Sequence, residues 1–279
     1  MPNGLIETIK AVNISLDAIR FRLQSIAGSL FQGEKRGKIA ILLPGVPGSL
    51  YGDRSEIVVR LVRDGFVVIA PEYMGTFASD GKFTFENAVD TTLDLIDSIS
   101  KRKKFYDVWQ GKYFVVSVKP VKNKTLLLGG SFGASVALVA GSKSKQVNHI
   151  IGISTQATYR ESQEGNREML RIMEEGFPHV YRTGVAARRR FERGSIDLNA
   201  IEYSKELAKK NVLLIHGMKD QTVRYRESLK LYQRLTKGSS SGSKRIILLE
   251  SKGHSGGSLA GEKEIYQKIK RWLKETGMK

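Results

Sequence analysis

Residues 125–138 read Thr-Leu-Leu-Leu-Gly-Gly-Ser-Phe-Gly-Ala-Ser-Val-Ala-Leu, and this stretch decides the fold. A short apolar run, typical of a buried strand, ends in Gly-x-Ser-x-Gly, and small apolar residues then begin a helix without a breaker. Because Gly129 and Gly133 carry no Cβ, the chain can hold a strained corner there with the Ser131 hydroxyl exposed at its tip. The helix start offers unpaired N–H groups to a negative charge. The pattern predicts an acyl-transfer nucleophile, with a plain Gly/Ser-rich turn as the alternative.

Apolar strands alternate with helical patterns on both sides of this stretch. The predicted elements are an antiparallel strand pair over 18–32, strands at 38–43, 66–70, 113–118, 149–153, 212–215 and 246–249, and helices at 54–64, 86–100, 226–235 and 262–274. Strands that are apolar throughout and alternate with helices are typical of a mostly parallel sheet with helices on both faces. The sequence therefore predicts one α/β domain over residues 1–279.

One interval, residues 156–210, breaks the alternation. It has helical character but no strong strand, and it leaves the predicted sheet just after the strand that follows the Ser131 corner. Long excursions in compact domains are usually functional, and ligands of open α/β sheets bind beyond the carboxyl ends of the strands. We interpret the interval as a helical cap or lid. Extra helical packing at the sheet edge is the alternative.

A serine nucleophile needs a base and a third group that orients the base. Among the four histidines, His254 lies in a Gly- and Ser-containing loop directly after a predicted strand, which favours it as the base. His216 ends an apolar strand, where a histidine is more often structural. The remaining two are His149, which opens a strand, and His179, inside the interval.

Asp220 follows a predicted strand and lies between Ser131 and His254, the order in which an acid occurs in many hydrolases. Asp197 lies in the same stretch of sequence but follows no strand. Since Ser131, Asp220 and His254 each terminate a parallel-type strand, their side chains are expected at one edge of the sheet. That coincidence is a stronger signal than any one of the three residues.

The sequence resembles the α/β-hydrolase family, and within it the prolyl-oligopeptidase and dienelactone-hydrolase relatives. The resemblance rests on residues 129–133 (Gly-Gly-Ser-Phe-Gly), 216–223 (His-Gly-Met-Lys-Asp-Gln-Thr-Val) and 253–255 (Gly-His-Ser). It implies an α/β-hydrolase fold with a helical cap insertion. It also implies a catalytic triad in which Ser131 is the nucleophile and His254 the general base.

By the same resemblance, Asp220 orients His254, and an oxyanion hole uses the backbone N–H groups of Phe132 and Val46. Many relatives have a His-Gly pair after an early strand where this chain has Pro44-Gly45. The donor is a main-chain group, so this change does not remove it, whereas Pro47 has no N–H to donate.

The resemblance implies a serine hydrolase that cleaves a carboxylic ester of a small-molecule acyl substrate through an acyl-enzyme, with no metal or organic cofactor. A prolyl-oligopeptidase-like peptidase and a thioesterase are alternatives. The peptidase relatives usually carry an amino-terminal propeller, for which we find no room before Lys38, so an esterase is favoured. An alternative of another class is a non-catalytic protein that binds an anion or a nucleic acid on a hydrolase scaffold.

The formal net charge of +18 is the least ordinary global property, with 46 basic and 28 acidic residues scattered along the chain. It suggests either an anionic surface or polymer as partner or merely a solvated basic exterior. The chain has no cysteine, no signal-peptide core in residues 1–17 and no apolar run of membrane-spanning length. We therefore expect a cytoplasmic protein, and the sequence leaves its oligomeric state open.

Overall fold

The computed structural model describes residues 16–48, 52, 55–238, 241–254 and 256–278. Within them, ten strands form one sheet: β1 Asp17–Leu23, β2 Ile26–Gln32, β3 Lys38–Leu43, β4 Phe66–Pro71, β5 Phe105–Asp107, β6 Lys112–Phe114, β7 Thr125–Gly130, β8 His149–Ile153, β9 Asn211–Gly217 and β10 Lys244–Leu249. The same residues form eight α-helices: α1 Glu56–Arg63, α2 Asn87–Ser100, α3 Phe132–Lys143, α4 Gln163–Gly176, α5 Val185–Glu192, α6 Ser204–Leu207, α7 Tyr225–Thr236 and α8 Lys263–Glu275. The described residues also contain two 3₁₀ segments, Ala200–Tyr203 and Gly256–Gly261.

The strand order across the sheet is β10-β9-β8-β7-β3-β4-β2-β1-β5-β6. The six strands from β10 to β4 run parallel to one another, and the remaining pairs, including the β1–β2 hairpin, are antiparallel. The mostly parallel α/β sheet predicted from the sequence is confirmed. Because parallel strands end at the same edge, β3, β7, β9 and β10 all deliver their following loops to one side of the molecule.

Successive side chains of the central strands enter two separate cores. In β3, Ile39, Ile41 and Leu43 pack on one face, while Ala40 and Leu42 pack on the other. Side chains alternate across a strand, so a strand that is apolar throughout needs cover on both faces. The first face is covered by apolar residues of α2, α3 and α7, and the second by those of α1 and α8. These two layers give the parallel strands a rigid frame.

The region after α2 differs from its prediction. We expected one strand at 113–118, but β6 ends at Phe114, and an additional strand, β5, pairs antiparallel with β1 and with β6. The Asp107 side chain accepts the N–H groups of Trp109 and Gln110 at 3.0 and 3.1 Å and turns the chain back on itself. This side-chain turn competes with strand extension, and local apolar character does not reveal it.

The interval 156–210 contains α4, α5, α6 and the first 3₁₀ segment, and it divides into two parts. Segment 196–207 packs against α3 and α7, as part of the helix layer over the sheet. Helices α4 and α5 pack against each other, and the strand-like segment between them bridges the loop after β4 through Thr76 with Tyr181 and Phe83 with Thr183. Arg182 also donates to backbone carbonyls of residues 77, 79 and 81. The helical pair is therefore tied to the loop that follows β4.

Several predictions fall on residues outside the described ranges. They are the absence of a signal-peptide core, which depends largely on residues 1–15, the helix start at Arg54, and Ser255 in the motif at 253–255. In the ranges that are described, none of the helices is both long and apolar enough to cross a membrane.

Candidate active site

Ser131 lies at the corner between β7 and α3, with φ of 54° and ψ of −123°. Its own N–H donates to the carbonyl of Ile153 at 2.8 Å, which pins the corner to the end of β8. A non-glycine residue in this conformation is strained, and such strain persists only where the surroundings enforce it. The corner therefore presents the serine side chain outside the regular helix and strand.

The flanking glycines are required by close backbone approach. A Cβ on Gly129 would lie 2.0 Å from the carbonyl oxygen of Gly133, and a Cβ on Gly133 would lie 2.1 Å from that of Leu43. Neither position tolerates any side chain without a shift of the backbone. The Gly-x-Ser-x-Gly spacing thus lets β7, the start of α3 and the end of β3 meet at van der Waals distance around Ser131.

The loop after β3 runs beside Ser131. A Cβ built on Gly45 would lie 3.4 Å from the Ser131 Cβ, and Val46 follows directly in the same loop. Phe132 is the first residue of α3, so its N–H has no partner in its own helix. In the part of the chain that the structure describes, the Val46 N–H also has no hydrogen-bond acceptor. Of the two amides that the resemblance singled out, one directly follows Ser131 and the other directly follows Gly45, and neither has an acceptor among the described residues.

Asp220 and His254 are joined by a hydrogen bond. The Nδ1 of His254, after β10, lies 2.8 Å from the Oδ2 of Asp220, after β9. The Asp220 side chain is fully buried, and that of His254 is 25% exposed. A buried carboxylate that holds Nδ1–H leaves the Nε2 of the imidazole as its basic atom.

The Asp220 carboxylate is held ionised by its hydrogen bonds. Burial by itself would raise the pKa of Asp220, but hydrogen bonds from His216, His254 and the Val223 amide outweigh burial and hold that pKa well below its ordinary value. The other carboxylate oxygen, Oδ1, accepts the N–H groups of Thr222 and Val223 at 2.9 and 2.8 Å. Asp220 is thus a fixed negative charge at neutral pH.

Ser131 and His254 share one edge of the sheet without a hydrogen bond between them. Among the described residues, none is hydrogen-bonded to the Ser131 Oγ. Hydrogen bonds of this kind are often long or absent without substrate and tighten in the reacting complex. The structure therefore brings Asp220 and His254 into contact and places Ser131 at the same edge.

The other candidates from the sequence lie elsewhere. Asp197 is bonded to Lys143 and Tyr203, His179 is exposed on the segment between α4 and α5, and His149 is buried at the opposite end of the strands. His216 is the exception. We interpreted it as a structural histidine, yet its Nε2 lies 3.2 Å from the Oδ2 of Asp220. Its spacing of four residues before Asp220, at the end of the same strand, is the signal that could have indicated this contact.

Tyr181 links the α4–α5 pair to the loop beside Ser131. Its hydroxyl accepts the Gly48 N–H at 3.2 Å, and burial raises the pKa of Tyr181 to about 12. Phe132 packs in turn against the rings of Tyr73, Phe83 and Phe85. The sequence did not indicate these aromatic contacts. No group of three or more His, Asp or Glu side chains suited to a metal ion occurs among the described residues.

A sequence profile of the prolyl oligopeptidase family matches residues 54–278, well over half of the chain. The chain belongs to this family. It is thus a member of a serine hydrolase family with the α/β-hydrolase fold, and the fold predicted from residues 125–138 is confirmed.

Solved structures with the same fold include both peptidases and esterases. The acylaminoacyl peptidase of Pyrococcus horikoshii is 16% identical, with a TM-score of 0.70 over 99% of this chain and 44% of that longer chain. The esterase Pf2001 of Pyrococcus furiosus is 16% identical, with a TM-score of 0.64 over 95% of this chain and 93% of the esterase. The α/β-hydrolase GrgF of a Penicillium species is 16% identical, with a TM-score of 0.66 over 94% and 98% of the two chains. No curated protein sequence matches this chain. At such identities the likeness shows the fold alone.

Proposed function

We propose that the protein hydrolyses carboxylic esters through a triad in which Ser131 is the nucleophile, His254 the general base and Asp220 the group that orients the base. The observation that carries the proposal is the 2.8 Å hydrogen bond between a buried carboxylate and a partly exposed imidazole, at the sheet edge where Ser131 occupies a strained corner. Membership of a serine hydrolase family supports the same chemistry.

In the proposed reaction, the Ser131 Oγ attacks the ester carbonyl carbon while the Nε2 of His254 takes the hydroxyl proton. The tetrahedral intermediate collapses as the C–O bond to the alcohol breaks, and His254 returns the proton to the leaving alkoxide. Water, deprotonated by His254, then attacks the acyl-enzyme. The bond between the acyl carbon and the Ser131 Oγ breaks, His254 returns the proton to Oγ, and the acid is released. Asp220 keeps its charge throughout and stabilises the imidazolium.

The negative oxygen of the tetrahedral intermediate requires donors that are already in place. We assign this role to the N–H groups of Phe132 and Val46, which directly follow Ser131 and Gly45 and have no described protein acceptor. A single donor of this kind contributes about 3–4 kcal/mol to the stabilisation of the transition state. The positive end of the α3 dipole adds to it. The helical segment tied to the loop after β4 would serve as the cap over this site.

A peptidase of the acylaminoacyl type is the second candidate. It is favoured by the match to the prolyl oligopeptidase family and by the structural likeness to an acylaminoacyl peptidase over 99% of this chain. Both candidates use the same triad and differ in the leaving group, an alcohol or an amine. The likeness to Pf2001, which spans 93% of that esterase, favours the esterase over the peptidase.

The experiment that tests the proposal combines labelling with a matched substrate pair. The purified protein is treated with a fluorophosphonate, the adduct is mapped by mass spectrometry, and Ser131→Ala serves as the control. Turnover is measured on p-nitrophenyl butyrate and on the p-nitrophenyl ester and p-nitroanilide of one N-acetylated amino acid. We expect labelling at Ser131 and hydrolysis of both esters. Cleavage of the anilide with preference for the N-acylated substrates would establish the peptidase instead, and a folded protein that neither labels nor turns over would refute both.

A further inference from the structure

His216 is a buried histidine for which the proposed triad has no use. It lies next to the end of β9, between β8 and β10, and its side chain has no solvent exposure. A buried imidazole is retained at a cost unless its nitrogens find partners. Its partners therefore indicate what the residue does.

The partners of His216 determine where its proton lies. Its Nε2 is 2.9 Å from the carbonyl oxygen of Val223 and 3.2 Å from the Oδ2 of Asp220, which are both acceptors. Nε2 must therefore carry the hydrogen. On the other side of the ring, Nδ1 lies 2.7 Å from the Ser228 hydroxyl, which can donate to it. A neutral imidazole with its hydrogen on Nε2 satisfies every one of these contacts.

Asp220 consequently has three hydrogen-bond donors of its own and a share in the Nε2–H of His216. Backbone amides of Thr222 and Val223 hold Oδ1, and His254 holds Oδ2 at 2.8 Å. The Nε2–H of His216 has the Val223 carbonyl as its nearer acceptor and lies against the same Oδ2, with Nε2 at 3.2 Å. Contacts on both oxygens resist rotation of the carboxylate about its Cβ–Cγ bond. They also divide its negative charge, so that the share felt by His254 depends on the donor supplied by His216.

We propose that His216 is a positioning residue that acts through Asp220. Its Nε2–H fixes the orientation of the Asp220 carboxylate and draws off part of its charge, and it thereby sets the angle and the basicity of the His254 imidazole. The inference rests on the proposed triad and deepens it. His216 touches neither substrate nor nucleophile in this account.

The direction of the effect follows from charge. Without the His216 donor, Oδ2 holds more negative charge and favours the protonated form of His254, so the acid limb of the pH–rate profile moves to higher pH. We expect a move on the order of half a pH unit. Loss of one hydrogen bond to a charged group is expected to lower kcat roughly tenfold through misorientation of His254, with KM changed by less than about twofold.

The test uses two substitutions that differ by one methylene group. In His216→Asn, the amide nitrogen occupies the position of Nδ1, so it can bond Ser228 but not reach Asp220. In His216→Gln, the longer side chain places its amide near the Nε2 position and can donate to Asp220. His149→Asn is the matched control, because His149 is likewise a fully buried strand histidine, and it bonds the carbonyl of Thr276 far from Asp220.

Two readouts are taken on the full chain. One is the pH profile of kcat and kcat/KM for p-nitrophenyl butyrate, and the other is the NMR titration of the His254 ring with its downfield Nδ1–H resonance. We expect His216→Asn to shift the acid limb and the resonance, His216→Gln to restore both, and His149→Asn to change neither. The NMR readout does not depend on turnover.

The proposal is overturned if His216→Asn leaves the acid limb and the resonance at their original values, or if His216→Gln behaves like His216→Asn. It is also overturned if both His216 variants fail to fold while His149→Asn folds, because His216 would then serve the core. Failure of the triad itself is seen separately, as absence of fluorophosphonate labelling in the unmodified protein.

Discussion

At the amino ends of the central strands, basic side chains bond backbone carbonyls of neighbouring segments, whereas at the carboxyl ends two histidine side chains lie against one buried carboxylate. At the amino ends, Lys210 donates to the carbonyls of Ser144 and Val147, and His149 bonds that of Thr276. At the carboxyl ends, His254 and His216 converge on Asp220.

This difference separates two uses of the same residue types. A lysine or histidine that bonds a backbone carbonyl closes a loop, and the bonded polar atom then has a structural role. A histidine that bonds an ionised carboxylate keeps its second nitrogen available or stabilises a charge. Both edges are buried and polar, so burial alone does not identify a site. The chemical nature of the bonded partner, a backbone carbonyl or an ionised carboxylate, does identify it.

Among the substitutions at the carboxyl ends of the strands, Ser131→Ala is expected to cause the largest loss of activity. It removes the nucleophile but neither strand nor core contact, so we expect kcat to fall by about 10⁴-fold or more with the unfolding free energy within about 0.5 kcal/mol of the original. The measurements are ester turnover and urea unfolding. Activity within tenfold of the unmodified protein would rule out Ser131 as the nucleophile.

Asp220→Asn is expected to give the next largest loss, about 10³- to 10⁴-fold in kcat, because an amide can face His254 with its NH₂ group and favour the wrong tautomer. Steady-state kinetics and mapping of the fluorophosphonate adduct provide the measurement. Far-UV circular dichroism should show an unchanged fold. A loss smaller than tenfold would mean that Asp220 does not orient the base.

His149→Asn tests the opposite edge. Loss of the bond to Thr276 and of the edge-to-face contact with Trp272 should lower the unfolding free energy by about 1–3 kcal/mol. We expect kcat to stay within about twofold. Urea unfolding and ester kinetics together decide the matter. If kcat falls tenfold while stability is retained, the two edges are not functionally distinct.

The smallest expected effect is in the pH dependence of stability. The pKa of Asp220 is held below its ordinary value of 3.8, so the folded state binds fewer protons than the unfolded state as pH falls. The stability that Asp220 contributes is therefore complete above that value and decreases below it. Urea unfolding from pH 6 to pH 3 should show that the unmodified protein loses more stability on acidification than Asp220→Asn. Parallel pH curves for the two proteins would contradict this account.

The sequence predicted most of the elements because their signals are local. The boundaries of β3 and β8 and the corner at Ser131 follow from uninterrupted apolar runs and from glycine spacing. The hairpin at 105–114 was missed because its turn depends on one side chain, Asp107, which bonds two backbone amides. Such a bond competes with strand formation and leaves no apolar period to detect.

The same limit applies to the site. That Ser131, Asp220 and His254 belong at one edge could be worked out from the sequence, since each follows a strand of a parallel sheet and chain order restricts their roles. The contact of His216 with Asp220 could not be worked out from the sequence, because an apolar strand that ends in histidine is compatible with any buried partner. Nor could the bond from Gly48 to Tyr181, which joins residues 133 positions apart.

By itself, the sequence determined the alternation of strands and helices, the parallel sheet and the glycines that the strained corner requires, since hydrophobic period and missing Cβ atoms act over a few residues. Only the tertiary structure decided which polar side chains meet at one carboxylate and which bond backbone carbonyls and close loops. Those contacts form between loops that are distant in the chain. Their hydrogen-bond geometry depends on how the sheet aligns the ends of β9 and β10.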